Sequence, residues 1–373
     1  MKWRTHYSPI GLDIGSSQVK MVQLKESGQQ WSMHHHATAA LVQTGDPNPE
    51  ASEAQLVRCL RSMLVTGNFV GTRVVSALPG AEVDIRTVLL PAAGEAQEIR
   101  YTIRQEAQAY LSYNIEEAII EYLLTGEEQD DNSTKRRALV VSTPRQPVER
   151  HLALLQEAGL YCVALEVLPL ALNRLLVQYQ HVPTTSPLLV VDLGCRYSSA
   201  CILWQQTLMY NRTLSWGGAL LTKAIVKDLQ LSYDQAERLK QQHGIDPQAS
   251  GLPLVTQTSQ RVNMQAMPGL LWEVLRPQLE VLAQELERIL SYWGARFRGA
   301  LIDRLSLSGG SAALPGLEDY LRQRIGIDVT RIEPLCQFDR DREDSQLSPR
   351  QSAWLPALAP AMGLALRGRG RHG

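Results

Sequence analysis

The stretch "IGLDIGSSQVKMVQL", Ile10 to Leu24, decides the fold, and "LLVVDLGCRYSSACIL", Leu188 to Leu203, repeats its design. In each, an apolar run leads into an aspartate, Asp13 or Asp192, that stands two positions before a glycine, Gly15 or Gly194. A second apolar run then follows. Ile10–Ile14 and Val19–Leu24 read as strands joined by a tight turn at Gly15–Ser17, hence a β-hairpin. One such stretch would be an ordinary loop; two in one chain point to a duplicated device.

These turns suit an anion. A phosphate needs backbone N–H groups aimed at it and no side chain in the way; glycine permits that geometry and serine adds a small donor. Gly15, Ser16 and Ser17 supply such a turn in the first half, and Gly194 opens its equivalent in the second. Lys20 can reach back to neutralise phosphate oxygens. A bare carboxylate beside a phosphate is repulsive, so Asp13 and Asp192 call for Mg²⁺, held through water, between them and the anion. A third turn, Gly309, Gly310 and Ser311 in "LSLSGGSAALPGL", leads into a helix expected from near Leu314, with Pro315 in its first turn. Alone it is a strand-to-helix loop; the order hairpin, hairpin, glycine turn carries the weight.

Between the two hairpins, "QWSMHHHATAALV" adds a strand and "PEASEAQLVRCLRSMLVTGNF" a helix with Leu56, Leu60, Met63 and Leu64 at helical spacing; "RVVSALPG" returns to strand. Residues 81 to 163 read as an inserted α+β unit. Its strands are "EVDIRTVLLP", "EAIIEYLLTG" and "ALVVSTP", its helices "EAQEIRYTIRQEAQAYLSY" and "QPVERHLALLQEAGL", the latter stopped by Gly159, and "EEQDDNSTKRR" is a solvated hairpin loop. After the second hairpin come a third strand and helices over "GGALLTKAIVKDLQ" and "SYDQAERLKQQHG", the second closed by Gly244. A long aperiodic loop precedes "LEVLAQELERILSYW", whose Leu279, Leu282, Leu286, Ile289 and Trp293 share one helical face. "AWLPALAPAMGLALR", broken by Pro356 and Pro360, reads as a buried terminal helix.

The 373 residues are 44% apolar and 20% charged, enough for two core-bearing domains of an ordinary globular protein. A net charge of −1 gives no reason to expect nucleic acid. Five cysteines without CxxC spacing fit a reducing cytosol. The sequence offers no signal-peptide core and no membrane span, so a cytoplasmic location is expected. His34, His35 and His36 lie on an extended strand whose side chains alternate between faces, so they do not converge on a metal. The tail "RGRGRHG" is a frayed terminus or a weak contact for anionic lipid.

The order "GLDIGSSQVK", "VVDLGCRYSSACIL", "LSLSGGSAALPGL" resembles the phosphate-1, phosphate-2 and adenosine motifs of the actin/Hsp70/sugar-kinase superfamily. "LMYNRTLSWGGALLTKAI" with "LSYDQAERLK", and the unit at 81–163, are similar to the bacterial actin-like PilM and FtsA family. "GLDIGSSQVKMVQL" and "PALAPAMGLALR" resemble its type IV pilus assembly branch, over about Ile10 to Arg367. The resemblance implies an α/β, actin-like two-lobed ATPase fold of duplicated ribonuclease-H-like domains. The first lobe would be 8–80 and 164–182, with the inserted subdomain at 81–163. The second lobe would be 186–367, including a helical subdomain at about 223–270, and 368–373 a disordered basic tail.

It further implies ATP and Mg²⁺ between the lobes. Asp13, Gly15, Ser16, Ser17 and Lys20 would take the phosphates from one side, Asp192 and Gly194 from the other, and Gly309, Gly310 and Ser311 would cover the base. Glu237 and Lys240 match positions that flank ribose and adenine; read from spacing alone they are an exposed i,i+3 ion pair. Hydrolysing relatives place Glu or Gln before a proline to orient water, where this chain has Leu168 before Pro169, with Glu166 nearby. The second phosphate turn carries Arg196 and Tyr197. At most slow hydrolysis is expected.

The implied partner is a PilN-like bitopic inner-membrane protein, its cytoplasmic N-terminal peptide docking in a first-lobe groove beside the inserted unit. Pilus motor ATPases and self-association are further contacts the resemblance raises. Tyr101, Ile103, Tyr110 and Leu111 are either walls of that groove or core. An FtsA-like division protein and a small-molecule kinase on the same fold are the alternatives.

Overall fold

The computed structural model describes residues 6–27, 30–41, 49–92, 94–130, 133–179, 185–249, 266–297, 299–333 and 355–369. Much of the expected long loop (250–265) and the end of the basic tail (370–373) lie outside them.

The chain opens with β1 (His6–Tyr7), β2 (Ile10–Ile14), β3 (Gln18–Ser27) and β4 (Gln30–Ala40), then α1 (Pro49–Thr66) and β5 (Arg73–Ala77). It continues through β6 (Asp84–Pro91), α2 (Ala96–Gln108), β7 (Ala118–Asp130), β8 (Ser133–Pro144), α3 (Arg145–Glu157), β9 (Tyr161–Glu166) and α4 (Leu168–Tyr179). The second half holds β10 (Leu188–Leu193), β11 (Ser198–Trp204), β12 (Thr207–Leu214), α5 (Gly218–Leu229), α6 (Tyr233–His243) and α7 (Met267–Arg296). β13 (Arg304–Ser308), α8 (Leu317–Ile325), β14 (Asp328–Arg331) and α9 (Ala359–Ala365) complete it.

Two sheets share one topology. In the first, β4, β3 and β2 run antiparallel and β2, β5 and β9 parallel; in the second, β12, β11 and β10 run antiparallel and β10, β13 and β14 parallel. The duplicated motif is thus a duplicated sheet. Ile10, Leu12, Val19 and Met21 on one face of the first hairpin are buried with Val57, Leu60 and Met63 of α1. Val22 and Leu24, on the other face, join Leu188, Val190, Cys201 and Leu203 of the second sheet in one core. The period-2 alternation of the hairpins therefore sends half of each to its own helices and half to the interface between the sheets.

The terminal apolar stretch completes that interface. A 3-10 turn at Leu355–Leu358 leads into α9, and every residue from Leu355 to Leu366 is buried. α9 approaches β2 so closely that a Cβ on Gly11 would stand 1.9 Å from the Ala361 carbonyl oxygen, and one on Gly363 would stand 2.1 Å from that of Ala171 in α4. Residues 355–366, expected with the second lobe, join the two: the Pro356 carbonyl accepts from Ser308 Oγ at 3.2 Å and from the Gly309 N–H at 3.1 Å, while α9 packs against β2 and α4. Beside them Glu166 is buried and ion-paired with Arg174, which also donates to the Gly363 carbonyl at 2.7 Å, and with Arg367 at 3.2 Å.

The third sheet, ordered β6-β8-β7 and backed by α2 through Leu90, Ile99, Ile103, Ala138 and Val140, is the inserted unit. It ends at Pro144 rather than at 163. β9 pairs with β5, and Leu155, Ala158 and Leu160 pack with α1 in the first core, so α3 and β9 belong to the first sheet. "EEQDDNSTKRR" is mostly strand rather than loop: Glu127 faces Arg136 and Glu128 faces Lys135 across β7 and β8, charges that are favourable when opposed. The unit also touches the second sheet, through Thr87 Oγ1 donating to the Met209 carbonyl at 3.2 Å and Arg296 of α7 pairing with Glu128 at 3.1 Å.

Candidate functional site: facing aspartate–glycine hairpins

The two hairpins meet where the sheets face each other. In the first, Asp13 pairs with Lys20 in register, and the carboxylate and ammonium are 2.8 Å apart and nearly buried. Gly15 N–H donates to the Gln18 carbonyl at 3.0 Å, closing the turn. In the second, Asp192 pairs with Ser199, and no lysine stands opposite it. The separation from aspartate to cross-strand partner is the same in both.

The electrostatics place the four groups together. Burial alone would lower the Lys20 ammonium, but the Asp13 carboxylate, with Asp192 and Cys195 adding to it, holds it above the ordinary lysine value. Burial and the neighbouring Asp13 charge push Asp192 up to about 6, against the opposing pull of Lys20 and Ser308. Asp192 Oδ1 is buried and has no hydrogen-bond partner. A buried carboxylate oxygen without a donor, beside a second carboxylate, suits a hard divalent cation that prefers oxygen ligands. Among the described residues no cluster of three or more His, Cys, Asp or Glu side chains could hold a metal by itself, so an ion here would keep water or ligand oxygens.

The second-lobe side is stitched by its glycines. The Gly194 carbonyl accepts from the Gly218 N–H at 3.0 Å and from Ser311 Oγ at 2.9 Å, and the Cys195 carbonyl from the Ala219 N–H at 2.9 Å. A Cβ on Gly218 would stand 2.2 Å from Ser311 Oγ. Gly309 sits at φ +88°, in the region that favours glycine, where its own Cβ would meet the Leu193 carbonyl at 2.4 Å and Asp192 Oδ1 at 2.8 Å. Gly310 faces open space. The helix after this turn starts at Leu317, behind a 3-10 turn at Gly310–Ala313, rather than at Leu314; Pro315 precedes it. The turn's access therefore comes from glycine backbone and not from a helix terminus.

Glu237 and Lys240 are not an exposed pair. Lys240 is buried, and its Nζ donates to Glu237 Oε2 at 2.7 Å, Thr222 Oγ1 at 2.9 Å and the Gly218 carbonyl at 3.2 Å. Burial would raise the Glu237 carboxyl, but Lys240, Thr222 and Gln241 hold it below the ordinary value. Gly217, Gly218 and Thr222 belong to this framework and were not singled out in the sequence; the doubled glycine before a helix was the available signal.

Beside Asp192 a cleft opens between the three sheets. Leu78, Val83, Ile85 and Val167–Pro169 give it apolar walls, and Tyr197, Ser199, Asn211 and Thr213 polar ones. Leu168 opens α4, so the position before Pro169 puts a leucine into the cleft, and Glu166 is held by its arginines. The expected groove wall on α2 divides: Tyr101 is 66% exposed, whereas Ile103, at 2%, is core. Tyr110 and Leu111 are half-buried, the Tyr110 ring lying 4.1 Å beneath the Arg86 guanidinium. His34 packs near Tyr7 and His35 against Phe69, on β4.

Two sheets of one topology, facing each other across paired aspartate–glycine hairpins, define the actin-like ATPase fold with its inserted α+β unit. Residues 11–369 match the family described as type IV pilus assembly protein PilM, and the chain belongs to that family. Among solved structures it is similar to the "PilM-PilN type IV pilus biogenesis complex", with 24% identity, TM-score 0.79, and coverage of 97% of this chain and 99% of that one. It is also similar to the ethanolamine utilization protein EutJ from Carboxydothermus hydrogenoformans, with 15% identity, TM-score 0.54, and coverage of 97% and 89%. Among the described residues no helix is long and apolar enough to cross a membrane.

Proposed function

We propose that this protein is an ATP-binding scaffold of a type IV pilus or related DNA-uptake or secretion machine. It acts on the cytoplasmic side of the inner membrane and binds the cytoplasmic N terminus of a PilN-like membrane protein. The observation that carries the nucleotide reading is the buried, donorless Asp192 Oδ1 beside Asp13 and Lys20. Gly15, Ser16, Ser17 and Lys20 would hold the phosphates from the first lobe and Gly194 from the second, Gly309–Ser311 would cover the base, and Glu237 would serve the ribose. Asp13 and Asp192 hold Mg²⁺ through water. The ion, when bound, supplies the charge that lets carboxylates and phosphates share the space.

Turnover is slow in this reading, because Leu168 stands where water would need a polar group to orient it. Conformational control is the purpose instead. The peptide docks in a first-lobe groove beside the inserted unit, where the exposed Tyr101 of α2 is a candidate apolar anchor. Support comes from family membership and from the partner named in the similar complex. ATP then shifts peptide affinity only by its own differential affinity for the open and closed lobes. Among the described residues Asp192 is the one carboxylate lining the cleft between the three sheets, and the nucleotide reading gives it to the cation, which leaves the kinase alternative without an acceptor base. Calorimetry of ATP with and without Mg²⁺ on the protein and on Asp13→Ala tests the site: Mg-dependent affinity should fall in the variant, and equal affinity overturns the assignment.

A further inference from the structure

We infer that Lys240 is a positioning residue and not a nucleotide ligand: it locks the Gly217–Gly218 turn onto the second phosphate turn. The inference rests on the nucleotide reading above for its purpose, though not for its geometry. An ammonium has three donors, and those of Lys240 are taken by Glu237 Oε2, Thr222 Oγ1 and the Gly218 carbonyl, leaving none for a ribose or a base. Its side chain is 8% exposed, whereas that of Glu237 is 31% exposed. The buried cation therefore faces inward and its carboxylate partner outward.

What the cation holds is the link between two turns. It fixes the carbonyl of Gly218, whose own N–H donates to Gly194, while the next amide, Ala219, donates to Cys195. Thr222, fully buried on the following turn of α5, adds to the same grip: its oxygen accepts from Lys240 and its single hydroxyl proton is shared between the Gly218 carbonyl and Glu237 Oε2. Ser311 then ties the glycine turn under the base to the same Gly194 carbonyl. One ammonium on α6 thus sets the placement of both phosphate and base turns of the second lobe, and Gly218 is glycine because any Cβ would strike Ser311.

The test has two readouts. Hydrogen exchange on the nucleotide-free protein should show the Gly218 and Ala219 amides exchanging about tenfold faster in Lys240→Met, with the Gly15 turn unchanged. Affinities for ATP and for 2′,3′-dideoxy-ATP should fall by equal factors when Lys240→Met is added to Glu237→Ala, because the carboxylate that Lys240 holds beside the ribose is then gone and a residue that does not itself touch the ribose cannot distinguish them. Thr222→Val, which keeps the volume and the cation, should show the same pattern at smaller amplitude and serves if the lysine variant does not fold. Unchanged exchange in these variants, or a loss confined to ATP, overturns the inference. Absence of any nucleotide binding to the unaltered protein would instead strike the proposed function and leave the exchange result to decide the role of Lys240.

Discussion

Asp13 and Lys20 face each other in the β2–β3 register with 2.8 Å between carboxylate and ammonium, whereas Asp192, at the same place in β10–β11, has Ser199 opposite it. The duplicated sheets thus carry one neutralised carboxylate and one that is not. The unneutralised one is the group on which a cation has most to offer.

Asp192→Asn should therefore move two quantities in opposite directions. Removing a carboxylate whose Oδ1 is buried without a donor should stabilise the nucleotide-free protein at pH 7.5, by about 1–3 kcal/mol. The same change should weaken Mg-ATP by about tenfold or more. Denaturant melts and calorimetry on one preparation read both; a variant that is less stable and binds equally well contradicts the account.

The pH dependence follows from the sign of the Asp192 shift. Its native value, about 6, lies above the ordinary 3.8, so the stability it contributes is fully present below 3.8 and lost as pH rises through about 6. A cation competes with that proton. Mg-dependent ATP affinity should be about fourfold weaker at pH 5.5 than at 7.5 on this account of one titrating group, over and above the nucleotide's own titration, and Asp192→Asn should remove that increment.

His151 works with the opposite sign in an overlapping range. Burial lowers it to about 4, and its Nε2 lies 3.0 Å from Ser76 Oγ, which donates to the Leu12 carbonyl beside Asp13. Its contribution is present above 6.5 and lost as pH falls through about 4. NMR titration should find this ring neutral at pH 5; a midpoint near 6.5 would contradict its burial.

The junction of the terminal helix offers a mechanical test. Gly11→Ala must push α9 away from β2 against backbone atoms that have no rotamer to change, and should cost about 3 kcal/mol or more. Gly310→Ala, whose Cβ meets nothing within 4 Å, is the control and should leave stability within about 0.5 kcal/mol.

The hairpins were legible in the sequence because a period-2 apolar run, an aspartate and a glycine turn specify both the strand faces and the reversal. The helix face of Leu279 to Trp293 was legible for the same reason, and all five residues are buried. Partnership was harder to read. The amphipathic period of α3 says that one face is buried but not against which sheet, so the sequence alone extends the inserted unit to 163, whereas α3 and β9 pack with the first sheet. The charged run at 127–137 looked solvated because cross-strand charge pairing has no signature along a single strand. Lys240 was hidden likewise: an i,i+3 spacing is identical for a surface pair and for a buried clamp, and only Gly218 and Thr222, distant in sequence, make the difference.

The most direct test of the central claim is calorimetric titration of the full chain with a peptide copying a PilN N terminus, with and without Mg-ATP. The account predicts micromolar binding that changes several-fold when Mg-ATP is present and that stops responding to it in Asp192→Asn. No binding in either condition would contradict the partner, and binding indifferent to Mg-ATP would contradict the coupling of the groove to the facing hairpins.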